Sequence, residues 1–138
     1  MSRNRRLLAV LVSLAAAVSV PLTISSPAMA YGSRPASCNT ASLCFYANNN
    51  FVDGPGKVTS AAALGSYSHS SCAGGTWNNC MSSVWNATTK CFHLHADAGP
   101  TGGFHNLGPN DGYTNLGSQA AYDNTVSYVK SGRANCSF

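Results

Sequence analysis

The sequence is poor in acidic side chains: it contains no glutamate, it has four aspartates, and charged residues make up 9% of it. A glycosidase needs two facing carboxyl groups, and nothing in the sequence marks such a pair. The G-x-S-x-G turn of serine hydrolases is also missing. These absences exclude the common hydrolase classes, and we expect that the chain is not an enzyme.

Long apolar runs are missing after the first thirty residues. The one run, residues 7–20, follows three arginines and ends at Pro21, so it is shorter than the roughly 18–20 residues that span a bilayer. Ala28 and Ala30 match the small-residue rule for signal cleavage. We interpret residues 1–30 as a secretory signal peptide and expect a secreted mature chain, residues 31–138, without membrane contact after cleavage.

The basic excess belongs mostly to the predicted signal. Residues 31–138 carry five basic and four acidic side chains, a net charge of about +1, so no basic patch argues for a nucleic-acid partner. The mature chain has the length of one domain, and we expect a monomer.

All six cysteines lie in the predicted mature chain. An even number in a short exported chain indicates three disulfides, for which the count alone allows 15 pairings. No C-x-x-C pair occurs, which argues against a thiolate zinc site. The cysteines are Cys38, Cys44, Cys72, Cys80, Cys91 and Cys136.

Short apolar stretches alternate with clusters of glycine, asparagine and serine, a pattern typical of an all-β fold. We expect residues 109–117 to form a turn region. The predicted strands are residues 42–47, 57–61, 64–71, 80–87, 90–96, 104–108 and 125–132.

One phrase occurs twice. WNNCMSSV at residues 77–84 is followed forty-five residues later by YDNTVSYV at residues 122–129. Such a repeat predicts two similar units, about 38–87 and 88–138, each a four-stranded Greek key, packed as a sandwich. The expected core residues are Phe45, Val84, Phe92, Val126 and Val129, with Trp77 and Tyr122 at equivalent corners.

The repeated phrase resembles the calcium motif of βγ-crystallins, in which two Asn or Asp precede two variable residues, Ser or Thr, and Ser. NNCMSS (78–83) matches it, and DNTVSY (123–128) departs at Tyr128. The resemblance implies calcium ligands at Asn79, Ser82, Asn124 and Ser127, with Asn78 and Asp123 shaping the loops. Because only Asp123 is anionic, we expect weak calcium binding or none. The alternative is that these side chains only hold the loops by hydrogen bonds.

The segment CNTASLCFY (38–46) resembles the opening of the small secreted metalloproteinase inhibitors of actinomycetes. By this resemblance Cys38 pairs with Cys44. The other pairings stay open, with Cys72–Cys80 and Cys91–Cys136 as the expected ones.

The same resemblance implies that the chain inhibits an extracellular protease and needs no cofactor. In that family the reactive bond lies in a disulfide-braced segment between the two halves. No cysteine near Asn86 can close a small ring with Cys91 here, so the segment is equally readable as a plain connector. The corresponding residues are Asn86, Ala87, Thr88, Thr89, Lys90 and Cys91.

Two further features have simpler explanations. His93 and His95 alternate along one strand and, with His105 or Asp97, could bind zinc, but we expect two solvated histidines. Phe51 and Val52 stand at a hairpin tip and are a second candidate for an exposed apolar contact, but we expect this tip to fold back onto the hairpin. Two rival functions on the same fold are a killer-toxin-like antimicrobial protein and a calcium-binding structural module.

Overall fold

The computed structural model describes residues 32–136, so the predicted signal peptide lies outside the described residues. These residues form two four-stranded antiparallel sheets and one short α-helix, α1 (Leu116–Ala120), which confirms the all-β prediction. Within residues 32–136 no helix has the length and apolar character needed to cross a membrane. The strands are β1 (Leu43–Tyr46), β2 (Gly56–Val58), β3 (Ala62–Ala63), β4 (Ser83–Asn86), β5 (Phe92–His95), β6 (Phe104–Leu107), β7 (Asp111–Tyr113) and β8 (Tyr128–Ser131).

The two halves of the chain exchange one strand each. The first sheet has the order β2-β1-β4-β7, and the second has the order β3-β8-β5-β6. The third strand of the first half therefore pairs with β8, and the third strand of the second half pairs with β4. This exchange links the two Greek-key units through backbone hydrogen bonds as well as through side-chain packing.

Reciprocal hydrogen bonds show that the halves are related by an approximate two-fold axis. Leu64 N donates to Ser127 O, and Leu116 N donates to Ser82 O, both at 2.8 Å. Leu64 begins the 3-10 turn after β3, and Leu116 begins α1 after β7. The repeated phrase thus occupies equivalent positions in the two units.

The space between the sheets is filled by one apolar cluster drawn from both halves. All five predicted core residues have no solvent-exposed surface, and Trp77 is buried while Tyr122 is half-buried against them. In β1, Leu43 and Phe45 face this cluster, whereas Cys44 and Tyr46 face a second, smaller one on the outer side of the first sheet. Both faces of β1 are therefore covered.

Three disulfides close the described chain, with no free cysteine among residues 32–136. Cys38–Cys44 ties the N-terminal segment to β1, and Cys72–Cys80 closes the loop before the first motif. Cys91–Cys136 ties the residue before β5 to the C-terminal segment. These are the pairs that the sequence led us to expect.

The strand predicted over residues 64–71 is wrong. Leu64–Ser66 is a 3-10 turn whose Leu64 side chain is fully buried in the core. His69 then stacks on Trp77, with ring centroids 4.1 Å apart, and Trp77 N donates to Tyr67 O. The core and the indole ring hold this segment as a closed loop, so it cannot extend along a sheet edge.

The turn predicted over residues 109–117 contains β7 and the start of α1. β7 has only three residues, and its Gly112 lies against the Trp85 ring, where a Cβ would collide with Trp85 Cε3. Asn115 caps α1 by accepting from Ser118 N at 3.0 Å. Both elements are too short to show a periodic pattern in the sequence.

Candidate functional site

The connector, residues 86–91, joins β4 of the first sheet to β5 of the second. Asn86 and Cys91 have no exposed surface, and Ala87 and Thr88 are also buried. The two residues between them, Thr89 and Lys90, are exposed. Of the six residues predicted as an inhibitory loop, these two are exposed to solvent and the other four are buried.

The Asn86 side chain closes the connector into a tight turn. Its Nδ2 donates to Lys90 O at 2.6 Å and to Gly108 O at 2.7 Å. Its Oδ1 accepts from Thr88 N at 3.1 Å and from Thr88 Oγ1 at 2.7 Å. Because Nδ2 has two hydrogens and Oδ1 two lone pairs, the hydrogen-bonding capacity of this amide is fully used.

Backbone and disulfide contacts hold the two ends of the connector. Ala87 N donates to Ser42 O at 3.0 Å, and Cys91 N donates to Arg133 O at 3.1 Å. Cys91 is also bonded to Cys136. The sequence offers no ring-closing cysteine beside Asn86, and the structure shows what stands in its place: a buried amide at one end and a bridge to the C-terminal segment at the other.

Asp111 lies beside the first residue of the connector. It lies opposite Asn86 in the β4–β7 pair, and its carboxylate accepts from Gly112 N at 2.8 Å and from Gly108 N. Burial raises the pKa of Asp111, and the two backbone N–H groups partly offset that rise. The sequence gives no sign of this role, because the contact arises only when distant strands pair.

The predicted calcium residues meet across the two-fold axis. Ser127 Oγ donates to Asn79 Oδ1 at 2.7 Å, and Ser82 Oγ donates to Asn124 Oδ1 at 3.4 Å. Both asparagines have left-handed backbone angles, with φ of 54° and 50°, a conformation that asparagine adopts more easily than most residues. The two motifs are therefore hydrogen-bonded to each other.

These oxygen pairs fit calcium in chemical type and spacing, because two oxygens about 3 Å apart can both lie within the 2.3–2.6 Å bond length of one ion. Their charge is small, since Asp123 is the one carboxylate in the two motifs, and it accepts from Asn124 Nδ2 at 3.2 Å. Asn78 is exposed beside the first pair.

The expectation of two solvated histidines is wrong. His93 and His95 are 7% and 2% exposed, because Phe104 of the neighbouring strand covers them and stacks on His93 with ring centroids 3.7 Å apart. Burial, with His95 and Lys130 nearby, lowers the pKa of His93. His105 points away and bonds Tyr113 Oη at 2.7 Å. Among residues 32–136 no three His, Cys, Asp or Glu side chains form a group that could hold a metal ion, Asp97 included.

At the hairpin tip, Phe51 folds back as expected. Its ring packs edge-on against Tyr46 and Trp85, with centroids 5.5 and 6.1 Å apart. Val52 stays 55% exposed, so the expectation holds for the first residue and is wrong for the second.

A family model matches residues 32–107, more than half of the chain, and that family is peptidase inhibitor family I36. The match includes the connector, β1 to β6 and two of the three disulfides. No curated protein matches the chain.

Solved βγ-crystallin structures share the fold. A structure from work on the evolution of the eye-lens βγ-crystallin domain has a TM-score of 0.56 and 20% identity, covering 74% of this chain and 91% of its own. An archaeal βγ-crystallin has a TM-score of 0.54 and 22% identity, covering 68% of this chain and 100% of its own. A βγ-crystallin from Ciona intestinalis has a TM-score of 0.52 and 20% identity, covering 66% of this chain and 99% of its own. At these identities the likeness shows the βγ-crystallin fold alone.

Proposed function

The chain belongs to peptidase inhibitor family I36, and on that premise we propose that it blocks an extracellular metalloprotease by docking the connector, residues 86–91, in the enzyme's cleft. The family and the fold indicate an inhibitor rather than an enzyme. The observation that supports this site is the exposed pair Thr89 and Lys90, held between buried and hydrogen-bonded neighbours.

The rigidity of the connector supports the mechanism. A segment already fixed in one shape loses little conformational entropy on binding, so more of its contact energy appears as affinity. Thr88 Oγ1 accepts from Lys90 N at 3.0 Å, and Asn86 holds Lys90 O. The exposed tip is thus fixed from both sides before an enzyme arrives.

The same contacts explain how an inhibitor of this kind resists its target. If the enzyme cuts the exposed tip, Asn86 still belongs to β4 and Cys91 is still bonded to Cys136. The new chain ends stay near each other and in the cleft. Product release is slow, and rejoining of the two ends competes with it.

Three disulfides are typical of proteins that work in an oxidising compartment. We therefore propose that the protein acts outside the cell as a monomer, after removal of residues 1–30. The partner is a protease of that compartment, and the mechanism requires no cofactor.

The test is an inhibition panel with oxidised protein, residues 31–138, against purified metalloproteases and serine proteases. We expect a thermolysin-type enzyme to lose activity with an inhibition constant in the nanomolar to micromolar range, that is about −8 to −12 kcal/mol of binding free energy. Reduced and alkylated protein is the control and is expected to be inactive. Absence of inhibition of every enzyme at about 10 μM would contradict the proposal.

The two asparagine–serine pairs support a second candidate function, weak calcium binding. When bound, the ion would be held by side chains of Asn79 and Ser127 at one site and Asn124 and Ser82 at the other, and it would stabilise the junction of the two units. Calcium would supply structural support there. These residues lie at the end of the sandwich opposite the connector, since Ser82 precedes β4 and Asn86 ends it.

A further inference from the structure

The charged side chains of the described residues are separated along the sandwich. Strands β1 and β5 start near the connector, because Leu43 pairs with Asn86 and Phe92 follows Cys91. Asp53 and Asp97 follow the far ends of these strands, and Asp123 lies beside the calcium motifs. Three of the four aspartates are therefore placed away from the connector.

The connector end carries basic side chains. Lys90 is at the tip, and Arg133 is exposed in the segment whose backbone receives Cys91 N. Arg34 is exposed on the other side, where its Nε donates to Cys38 O at 2.7 Å and its guanidinium reaches Thr40 O. Thr40 adjoins Ser42, whose carbonyl receives the connector's Ala87 N.

Among residues 32–136, the one acidic side chain at this end is Asp111, and it is 7% exposed. Its carboxylate is used by the backbone N–H groups of Gly108 and Gly112. Lys57 is also exposed near this end, because it pairs with Cys44 beside the start of β1. A partner that approaches the connector therefore meets four positive charges, with the single negative charge buried beneath them.

We propose that the target protease has an acidic cleft and that Lys90 is the residue that selects it, by entering a negatively charged pocket beside the enzyme's reacting groups. This inference rests on the proposed function and names the chemistry of the partner. Lys90 suits the role because its backbone is fixed by Asn86 and Thr88 while its side chain is exposed. Arg34 and Arg133 would face the acidic rim of such a cleft.

The geometry also selects the bond that an enzyme can reach. The carbonyl of Lys90 accepts from Asn86 Nδ2 at 2.6 Å, so it is turned inward. The bond between Thr89 and Lys90 joins the two exposed residues. Lys90 is then the first residue after the attacked bond, and the acidic pocket is the one that receives that residue.

The experiment compares the inhibition constants of the wild-type protein, Lys90→Glu and Lys57→Glu against each protease that the wild-type protein inhibits. Lys57 is the matched control because it is an exposed lysine near the same end of the sandwich, but it lies on β2, two strands from β4, and outside the connector. The comparison therefore separates a specific pocket for Lys90 from the general positive charge of this end. We expect Lys90→Glu to weaken inhibition about 100-fold, and Lys57→Glu to change it by less than about threefold, since charge pairs in a desolvated cleft couple strongly.

Ionic strength gives a second readout. The wild-type inhibition constant is expected to rise about tenfold or more between low and about 0.5 M salt, because salt screens charge attraction, and the rise should be smaller for Lys90→Glu. Folding of each variant is checked by its melting temperature.

The outcomes separate this inference from the function on which it rests. Equal effects of Lys90→Glu and Lys57→Glu, or tighter inhibition by Lys90→Glu, would overturn the acidic cleft and leave the inhibitor intact. If the wild-type protein inhibits no protease, both proposals fail. If it inhibits none but binds vesicles containing about 30% anionic lipid through Lys90, the partner is a membrane surface and the inference is overturned as well.

Discussion

Asn86 Nδ2 lies 2.6 Å from the carbonyl oxygen of Lys90, four residues further along the chain. This hydrogen bond turns the connector back on itself, so that Thr89 and Lys90 project while their neighbours stay buried. The same amide also holds Gly108 O from the loop before β7. A single buried side chain thus links the proposed inhibitory tip to the loop between β6 and β7.

Replacing this amide should weaken both the fold and the inhibition. Asn86→Ala leaves Thr88 N, Lys90 O and Gly108 O without their partner, and a buried unsatisfied polar group costs about 1–3 kcal/mol. We expect a loss of that order in the free energy of unfolding, measured with urea. We also expect inhibition that fades with time, because the freed tip is cut and released.

Asn78→Ala is the matched control for Asn86→Ala, since Asn78 is exposed at the opposite end of the sandwich. Its unfolding free energy should stay within about 0.5 kcal/mol of the wild type. An Asn86→Ala protein that keeps full, lasting inhibition would show that the amide does not shape the site.

The Cys91–Cys136 bridge should matter more for inhibition than the Cys72–Cys80 bridge, which closes the loop before the first motif. Removing it by Cys91→Ser with Cys136→Ser should cost about 2–4 kcal/mol of stability and free the end of the connector from the C-terminal segment. Removing Cys72–Cys80 in the same way should destabilise the fold while the folded fraction inhibits normally. The readouts are unfolding curves and inhibition constants below the melting temperature; equal losses of inhibition in both variants would contradict this.

Stability should depend on pH through Asp111. Burial raises the pKa of this carboxyl above its value in the unfolded chain, so the folded state binds the proton more tightly. At a pH above the pKa of Asp111 in the folded protein, the carboxyl is ionised in both the folded and the unfolded state, and burying its charge destabilises the fold. This destabilisation disappears as the pH falls through that pKa. Asp111→Asn keeps an acceptor oxygen and removes the destabilisation at all pH values.

The measurement is the unfolding free energy from about pH 7 to about pH 4. Any advantage of Asp111→Asn over the wild type is expected at the upper end of this range and should shrink toward the lower end. Asp123→Asn, at an exposed carboxyl, is the control variant for the loss of a carboxylate. If the wild type instead becomes less stable than Asp111→Asn as the pH falls, burial of the ionised Asp111 carboxyl does not destabilise the fold.

Calcium should raise the melting temperature slightly. A ligand that binds only the folded state stabilises it by RT ln(1 + [L]/Kd), and the near-neutral donor set favours dissociation constants of about a millimolar. We expect a shift of a few degrees in about 10 mM calcium, a smaller one in magnesium, and none in Asn79→Ala with Asn124→Ala. An unchanged wild-type melt in calcium removes this function without affecting the inhibitor.

Much of the fold could be predicted because its signals are local in the sequence and occur in both halves of the chain. The doubled phrase at Trp77 and Tyr122 marked the two units, and alternating apolar residues such as Val126 marked the core. The exchanged strands could not be seen, because β3 has two residues and β7 has three, too few for a pattern. Burial of His93 and His95 depends on Phe104, which only the register of β5 with β6 places over them.

The position of the proposed site, residues 86–91, came from the family resemblance and stays a prediction. The sequence suggested a missing brace beside Asn86, and it could not show what holds the segment instead. The brace is made by contacts between residues far apart in sequence: Asn86 with Gly108, and Cys91 with Cys136. Asp111 beneath it has no local signature, since its role follows from pairing with Asn86.

The most direct test of the account is hydrogen–deuterium exchange of the protein alone and in complex with a protease that it inhibits. Enzyme binding should slow amide exchange most in the peptides that contain residues 86–91, with smaller effects near Arg133. Protection confined to the opposite end of the sandwich, at the hairpin tip around Val52 or the loop around Asp97, with the connector unchanged, would show that another surface does the inhibiting.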